Sequence, residues 1–240
     1  MPRKKVSPSN VISDVTQTLQ TFDLLDLQQY TREKAYSTTA SKDFHLFYVG
    51  RDDVHDILKY VLSRASVSLY MNMFGFDDPE LNDILMQQAR DPSITMMITL
   101  DKSQAAGVHE KKLLDSDIAR DPVKYNTYFV IGQSASHQIS HTKGFVADGK
   151  VGGEGSTNWS ASGEGTFVGG RNALGGLGYK AQNNTQTIFT DPDTINRFQT
   201  ELIAEHMIAK AQGAAATTGT PTARARPMGA TNRAASSKRT

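Results

Sequence analysis

The chain has no cysteine among its 240 residues. This absence excludes disulfide bonds, thiolate metal ligands and cysteine nucleophiles, and it is consistent with a reducing compartment. Long apolar runs are also missing, because stretches such as Met96-Met97-Ile98 fall far short of the roughly 20 apolar residues of a transmembrane helix. The basic start 1–5 is followed by polar residues where a signal peptide has its apolar segment. We therefore expect a cytoplasmic protein.

Charge is unevenly distributed, although the formal net charge is only +1. Three basic residues stand within 1–5. Five more stand in a C-terminal segment that has no acidic residue, namely Arg224, Arg226, Arg233, Lys238 and Arg239. Without these eight, the stretch 6–210 has 18 basic and 25 acidic residues, a net charge of −7. Attraction to a polyanion must therefore come from the ends of the chain or from local patches.

Composition divides the chain into three parts. Residues 1–43 form an N-terminal extension with four apolar residues at helical spacing, Val11, Val15, Leu19 and Phe22. That spacing predicts an amphipathic helix. Residues 44–210 carry the apolar patterns of a folded domain. Residues 211–240 are mostly Ala, Thr, Gly, Pro and Arg and predict a disordered basic tail, either merely solvated or an arm for nucleic acid or anionic lipid.

Short apolar runs alternate with amphipathic stretches from residue 44 onwards. The runs predict strands over 44–49, 67–73, 94–100, 125–131, 144–147 and 188–190. The stretches predict helices around 54–62, 81–89, 107–119 and 192–210. This alternation predicts an α/β fold, a mixed and mostly parallel sheet sandwiched between helices.

Glycine is concentrated in one segment, since 10 of the 19 glycines lie within 152–178. Regular structure is not expected there. The segment is either a mobile surface loop or backbone that approaches an anion closely or opens for a substrate. The second interpretation is favoured because the segment directly follows the motif described next.

The motif begins with His141 and Lys143, which share one side of an extended strand because side chains alternate along it. Asp148-Gly149 is a tight-turn dipeptide that should send the chain back beside this strand. The return limb would bring three more residues towards His141, namely Gly155, Ser156 and Asn158. One hairpin could thus assemble a site.

These residue types suit phosphodiester chemistry. A phosphodiester gains negative charge in its transition state, which a lysine ammonium together with Asn and Ser donors can stabilise. Neutral imidazole is a nucleophile available near pH 7, and a second, protonated histidine could act as the acid for the leaving oxygen. Such a site requires no metal ion.

The order His-x-Lys-x4-Asp, then Gly-Ser-x-Asn after six further residues, resembles the signature of the phospholipase D superfamily. The matching residues are His141, Lys143, Asp148, Gly155, Ser156 and Asn158. Upstream, 66–74, 81–89 and 94–101 are similar to the family's strand, helix and strand ending in aspartate. The resemblance covers about 44–208 and implies a phospholipase D-like fold.

Only one copy of the motif is present, and family members with one copy form dimers. The resemblance therefore implies a homodimer in which two copies of His141 meet in a shared active site. One copy would attack phosphorus, and the other would protonate the leaving group and then activate water. Lys143 and Asn158 would hold the nonbridging oxygens, with Gly155 and Ser156 as further substrate-binding residues. Asp148 would orient and charge-match a histidine in the dimer.

One feature departs from the family pattern. Many relatives carry a glutamate after the Gly-Ser-x-Asn segment, often beside an asparagine, whereas 182–185 reads Gln-Asn-Asn-Thr. Glu164 is the candidate substitute. The other histidines are expected to be structural or exposed, and these are His45, His55, His109, His137 and His206.

Other interpretations of the motif fit less well. His137 and His141 have the spacing of a helical zinc site, but 134–140 alternates like extended chain and no carboxylate follows at ligand spacing. Glu154 and Asn158 stand where a nucleophile elbow needs glycine, and Asn158 also breaks a dinucleotide-binding glycine pattern. No metal ion or other cofactor is therefore expected at the site.

The sequence thus predicts a metal-independent phosphodiesterase that works through a phosphohistidine, with a DNA or RNA endonuclease favoured because the basic ends could follow a phosphate backbone. One alternative is a phospholipase D that acts on an anionic membrane lipid, since the motif reads only the phosphodiester. A second alternative is a catalytically inactive scaffold that binds nucleic acid or membrane.

Overall fold

The computed structural model describes residues 22–101, 112, 115–132, 140–165 and 182–217. The predicted N-terminal helix and the end of the predicted tail, 218–240, lie outside these ranges, as does most of the glycine-rich segment. The strands in the described ranges are β1 Phe44–Tyr48, β2 Ser68–Met73, β3 Thr95–Asp101, β4 Thr127–Gly132, β5 Lys143–Ala147, β6 Val151–Gly155 and β7 Thr185–Phe189. The α-helices there are α1 Val54–Leu62, α2 Pro79–Gln88, α3 Asp117–Arg120, α4 Pro122–Tyr125, α5 Ala161–Glu164 and α6 Pro192–Thr217.

All strands of the described ranges join one sheet in the order β1-β7-β6-β5-β2-β3-β4. The predicted mixed α/β sheet is confirmed, but the expectation that it is mostly parallel is wrong. Only β2–β3 and β3–β4 are parallel, and the other four pairings are antiparallel. The reason is connectivity: a helix separates β2 from β3 and permits a crossover, whereas a tight turn joins β5 to β6 and forces them antiparallel.

Strand positions agree closely with the apolar runs, while the last helix is longer than expected. Strand β7 begins three residues before the predicted 188–190. Helix α6 continues to Thr217, seven residues beyond Lys210, so the first part of the segment expected to be a disordered tail is helical. The run of alanines at 214–216 explains the extension, because alanine has the highest helix propensity.

The helices cover the two faces of the sheet and create two apolar cores. Alternating side chains of β5 show the division. Phe145 lies in the larger core with residues of α1 and α2, whereas Val146 lies in a smaller core with Ile195 and Leu202 of α6. Both neighbouring side chains are fully buried. Strand β5 is therefore held rigidly from both sides, which fixes the start of the strand where the motif stands.

Aspartates set the starts of α1 and α2. The side chain of Asp53 accepts a hydrogen bond from the backbone N–H of Asp56, and that of Asp78 accepts one from Leu81. Pro79 follows as the first residue of α2, where its missing N–H costs nothing. Among the described helices, none combines the length and apolar character needed to cross a bilayer.

The predicted turn between β5 and β6 is confirmed. Asp148 and Gly149 both have positive φ, 55° and 61°, which is the conformation of a type I′ hairpin turn. The backbone N–H of Lys150 donates to the carbonyl oxygen of Ala147 at 3.0 Å and closes the turn. Strand β6 consequently runs back beside β5 and returns Gly155 towards the start of the motif strand.

His206 of α6 makes folding stability sensitive to acid. It is 2% exposed, and its Nδ1 lies 3.1 Å from Oγ1 of Thr99 on β3. Burial, followed by the charge of Lys210, lowers the pKa of His206 to about 4 from an ordinary value of 6.5. Between these pH values the unfolded chain binds a proton that the folded chain excludes, so the free energy of unfolding falls as the pH falls.

We predict that the His206→Gln variant loses this contribution. From pH 7.5 to pH 5, the wild type should lose roughly 2 kcal/mol more unfolding free energy than the variant, since each pH unit below 6.5 costs about 1.4 kcal/mol. Urea unfolding at the two pH values measures the difference. Equal acid losses in both proteins would show that His206 does not carry the effect.

Candidate active site

His141 and Lys143 lie together over the aromatic ring of Phe74, which directly follows β2. The ring centroids of His141 and Phe74 are 4.7 Å apart, and Nζ of Lys143 lies 5.0 Å from the Phe74 centroid. Nζ also donates to the carbonyl oxygen of His141 at 2.7 Å. The two side chains thus share one face, as their spacing predicts.

The two side chains differ in exposure. His141 is exposed, whereas Lys143 is only 3% exposed. Burial lowers the pKa of Lys143, and the charge of Glu154 opposes this effect. Among the described residues the ammonium of Lys143 forms no ion pair. A buried cation without a bonded anion is costly, so an anionic group bound beside His141 would be stabilised there.

Asn158 reaches the same place from the return limb. The backbone N–H of Trp159 donates to the carbonyl oxygen of Gly75 at 2.9 Å, which fastens the segment to the chain just after Phe74. A Cβ on Gly75 would lie 3.0 Å from Cγ of Asn158, so the Asn158 side chain packs tightly against this glycine. Oδ1 of Asn158 is buried and has no hydrogen-bond partner among the described residues. This oxygen is therefore available to a hydrogen-bond donor.

Ser156 and Gly155 are held by β7. The Ser156 hydroxyl donates to Oδ1 of Asn184 at 3.2 Å and accepts from the backbone N–H of Thr185 at 3.0 Å. At Gly155 an added Cβ would lie 2.2 Å from the carbonyl oxygen of Thr185. The close approach of the two strands therefore explains why serine stands at 156 and glycine at 155. Their direct contact with substrate stays a prediction.

Asp148 was predicted to orient and charge-match a histidine in the dimer, but within this chain its contacts lie elsewhere. It lies at the far end of β5, about 16 Å along the strand from Lys143. Its carboxylate accepts from the backbone N–H groups of Ser66, Val67 and Ser68 at 2.8–3.1 Å, and from the Ser66 hydroxyl at 3.0 Å. Asp148 therefore organises the start of β2 and is not part of the site within this chain.

We predict a structural phenotype for Asp148→Ala. Losing four donors to one carboxylate should lower the free energy of unfolding by about 3 kcal/mol, because charged hydrogen bonds stabilise more than neutral ones. Activity of the folded variant should stay within about threefold of wild type. Asp83→Ala, at an exposed position of α2, is the matched control. A large loss of activity with unchanged stability would instead show that Asp148 acts in the reaction.

Glu164 was the candidate substitute for the family glutamate, but within this chain its carboxylate lies against a different histidine. It is 2% exposed at the end of α5, and its Oε2 is hydrogen-bonded to Nδ1 of His55, a buried histidine of α1. Burial raises the pKa of Glu164 to about 8, against the opposing hydrogen bond from His55. Within the described chain, the residue beside Ser156 is instead Asn184, from the segment where the family glutamate was sought.

A buried polar network that sequence reasoning missed holds the chain just before His141. The backbone N–H of Ser140 donates to Oδ2 of Asp101 at 2.8 Å, and the Ser140 hydroxyl contacts the Asn72 amide at 3.0–3.2 Å. Asn72, Asp101 and Ser140 are all at most 4% exposed. Asp101 could have been identified from the sequence because it ends an apolar run. Nothing in the sequence distinguishes Asn72. His137 and His109 lie outside the described residues.

Comparison with known proteins gives structural likeness only. No protein-family model matches the chain, and no curated protein matches it. Solved structures are similar to this chain, among them the following three. A phospholipase D family member, Nuc from Salmonella typhimurium, is 16% identical with a TM-score of 0.48, and the alignment covers 68% of this chain and 92% of that one. NucT from Helicobacter pylori is 18% identical with a TM-score of 0.46, covering 68% and 94%.

The third similar structure is phosphatidylserine synthase from Haemophilus influenzae Rd KW20, with 10% identity and a TM-score of 0.52. That alignment covers 91% of this chain and 54% of the synthase, so this chain matches about half of the synthase's length. At such identities the likeness concerns the fold. The chain shares an α/β fold with this synthase, in agreement with the fold class expected from the sequence.

Proposed function

We propose that the protein is a metal-independent phosphodiesterase that works through a phosphohistidine at residue 141. The single observation that carries this proposal is the buried ammonium of Lys143, without an ion pair in the described chain, next to the exposed imidazole of His141. A bound phosphodiester supplies the missing negative charge and presents its phosphorus to the imidazole. Asn158, whose side chain lies beside Gly75 just after Phe74, supports the same placement.

The reaction follows as two displacements. A ring nitrogen of neutral His141 forms a bond to phosphorus while the bond to the leaving oxygen breaks, and an acid donates a proton to that oxygen. Water then attacks phosphorus, a base takes its proton, and the bond to nitrogen breaks. Lys143 and Asn158 stabilise the nonbridging oxygens in both transition states. The product is a phosphomonoester, and His141 is regenerated.

The acid and base come from a second copy of His141 in a homodimer. In the described chain the other histidines are His45, His55 and His206, and each is at most 8% exposed. None of them is exposed as His141 is, so none offers an accessible imidazole to a bound substrate. A two-fold axis beside the exposed His141 provides an identical imidazole without any further motif.

Mixed dimers test this shared site. When equal amounts of wild type and His141→Ala exchange subunits, a shared site leaves only the wild-type dimers active, about a quarter of the total. Independent sites would leave about half of the activity. Sedimentation of the active species provides the second measurement, and an active monomer contradicts the proposal.

We propose nucleic acid as the substrate. The basic residues at both ends of the chain can contact a phosphate backbone, and this contact would be strongly salt-dependent. The net charge of −7 over 6–210 favours the second candidate, a phospholipase D that acts on a lipid headgroup, since an acidic body repels a long polyanion.

A substrate panel separates the two candidates. The purified protein is incubated in EDTA with DNA, RNA, and vesicles of choline- or glycerol-headgroup phospholipids, each beside His141→Ala. Cleavage of nucleic acid alone supports the nuclease, and headgroup release alone supports the phospholipase. If the protein cleaves no phosphodiester, including a chromogenic bis-aryl ester, the proposal that it is an enzyme is refuted. The inactive scaffold is then the correct interpretation.

A further inference from the structure

A second cluster of ionisable side chains contains none of the motif residues. It consists of His55 on α1, Asp78 at the N-cap of α2, and Glu164 at the end of α5. The three residues are 2%, 3% and 2% exposed. Buried ionisable groups need partners, so three of them from separate elements at one point require an explanation.

Their donor atoms converge on a small volume. Nδ1 of His55 is hydrogen-bonded to Oε2 of Glu164 and lies 3.5 Å from Oδ2 of Asp78. One ligand atom from each residue lies within 4.8 Å of the other two. One imidazole nitrogen and two carboxylate oxygens at such separations can bind one ion together.

The surroundings orient these side chains as in a metal site. Nε2 of His55, on the opposite side of the ring, lies 3.4 Å from Oε2 of Glu80, which is itself paired with Lys59. Metal-binding histidines commonly donate their second ring N–H to a carboxylate, which fixes the ring and raises its basicity. Asp78 is held too, because its Oδ1 accepts from the backbone N–H of Leu81 at 2.8 Å.

An unsatisfied atom provides an independent observation. Oε1 of Glu164 is buried and has no hydrogen-bond partner among the described residues. It belongs to the carboxylate whose Oε2 already lies against His55, so it stands within the cluster. A buried carboxylate oxygen without a donor is costly, and a cation bound by both oxygens removes that cost.

We propose that His55, Asp78 and Glu164 bind one Zn²⁺ ion with a structural role. The donor set of one imidazole and two carboxylates suits Zn²⁺, and either Oε1 of Glu164 or a water completes four ligands. The ion neutralises the two carboxylates and joins α1, the start of α2 and α5, the short helix that follows the Asn158 segment. It takes no part in the reaction at His141.

Metal analysis of the full chain, produced without a polyhistidine tag, tests this site. The protein is unfolded in EDTA, refolded with or without Zn²⁺, and freed of loose metal by gel filtration. Wild type should retain about one equivalent of zinc, and its thermal midpoint should rise by several degrees. His55→Gln and Glu164→Gln should retain less than a tenth of that zinc and show no rise.

Two controls keep the result interpretable. His141→Gln should bind zinc like wild type, and loss of the ion in this variant instead would place it at the motif and overturn the proposal. If the cluster variants do not fold, Co²⁺ bound to wild type replaces them as the readout. A tetrahedral visible spectrum displaced by one equivalent of Zn²⁺ supports the site. If wild type refolded with Zn²⁺ retains no zinc, the proposal is overturned. The cluster is then held together by a proton shared between His55 and Glu164.

Discussion

Replacing His141 by alanine should lower the rate of phosphodiester cleavage by about 10⁴-fold or more, because the variant dimer loses both the nucleophile and the acid. The fold should be unaffected. His141 is exposed, and its ring lies beside that of Phe74, so the free energy of unfolding should change by less than about 0.5 kcal/mol. Steady-state kinetics on the preferred substrate and urea unfolding measure the two quantities.

His45→Gln is the matched control for loss of an imidazole. His45 is buried on β1 and stacks on Tyr36 with centroids 3.8 Å apart, well away from the motif strand in sheet order. This variant should lose stability and keep its activity when folded. Residual activity of His141→Ala within tenfold of wild type, on a protein purified free of contaminating nuclease, would remove His141 from the reaction.

Replacing Lys143 by methionine should decrease activity and increase stability. Methionine keeps much of the apolar stem but removes the ammonium that stabilises the nonbridging oxygens, so kcat/KM should fall by about 10²–10³-fold. The same change removes a buried charge that has no ion pair in the described chain, so the free energy of unfolding should rise by roughly 1 kcal/mol. Steady-state kinetics measure the expected decrease in kcat/KM, and thermal unfolding measures the expected increase in stability.

Phosphate binding links the two effects. Inorganic phosphate or tungstate should raise the thermal midpoint of wild type by supplying the missing anion, and this rise should be absent in Lys143→Met. Lys42→Met, at an exposed lysine, should change neither activity nor the response to phosphate. A strong loss of stability in Lys143→Met would instead mean that the ammonium is paired within the fold and is not available to bind a substrate anion.

Local patterns were sufficient for the motif hairpin. The alternation of side chains puts His141 and Lys143 on one face, and Asp148-Gly149 needs only its own positive φ angles to reverse the chain. Both features depend on residues close in sequence. For the same reason the strands were predictable from their apolar runs, whereas the order of the strands was not, since pairing joins segments far apart along the chain.

The errors have the same origin. Asp148 was assigned to the site because it stands in the motif, but its partners at 66–68 are some 80 residues away in sequence and meet it only through the pairing of β2 with β5. Glu164 was expected to support a histidine, and it does contact one. Its partner is His55, 109 residues earlier, which only the packing of α1 against the Asn158 segment could reveal.

The central claim is a covalent bond between phosphorus and residue 141, and trapping that adduct tests it most directly. The protein is mixed with ³²P-labelled substrate in EDTA, quenched at alkaline pH within one turnover, and digested for peptide mapping by mass spectrometry. We predict an acid-labile phosphoryl or phosphodiester adduct on His141, absent from His141→Ala. Turnover by wild type with no label on the peptide that contains residue 141 would contradict the account.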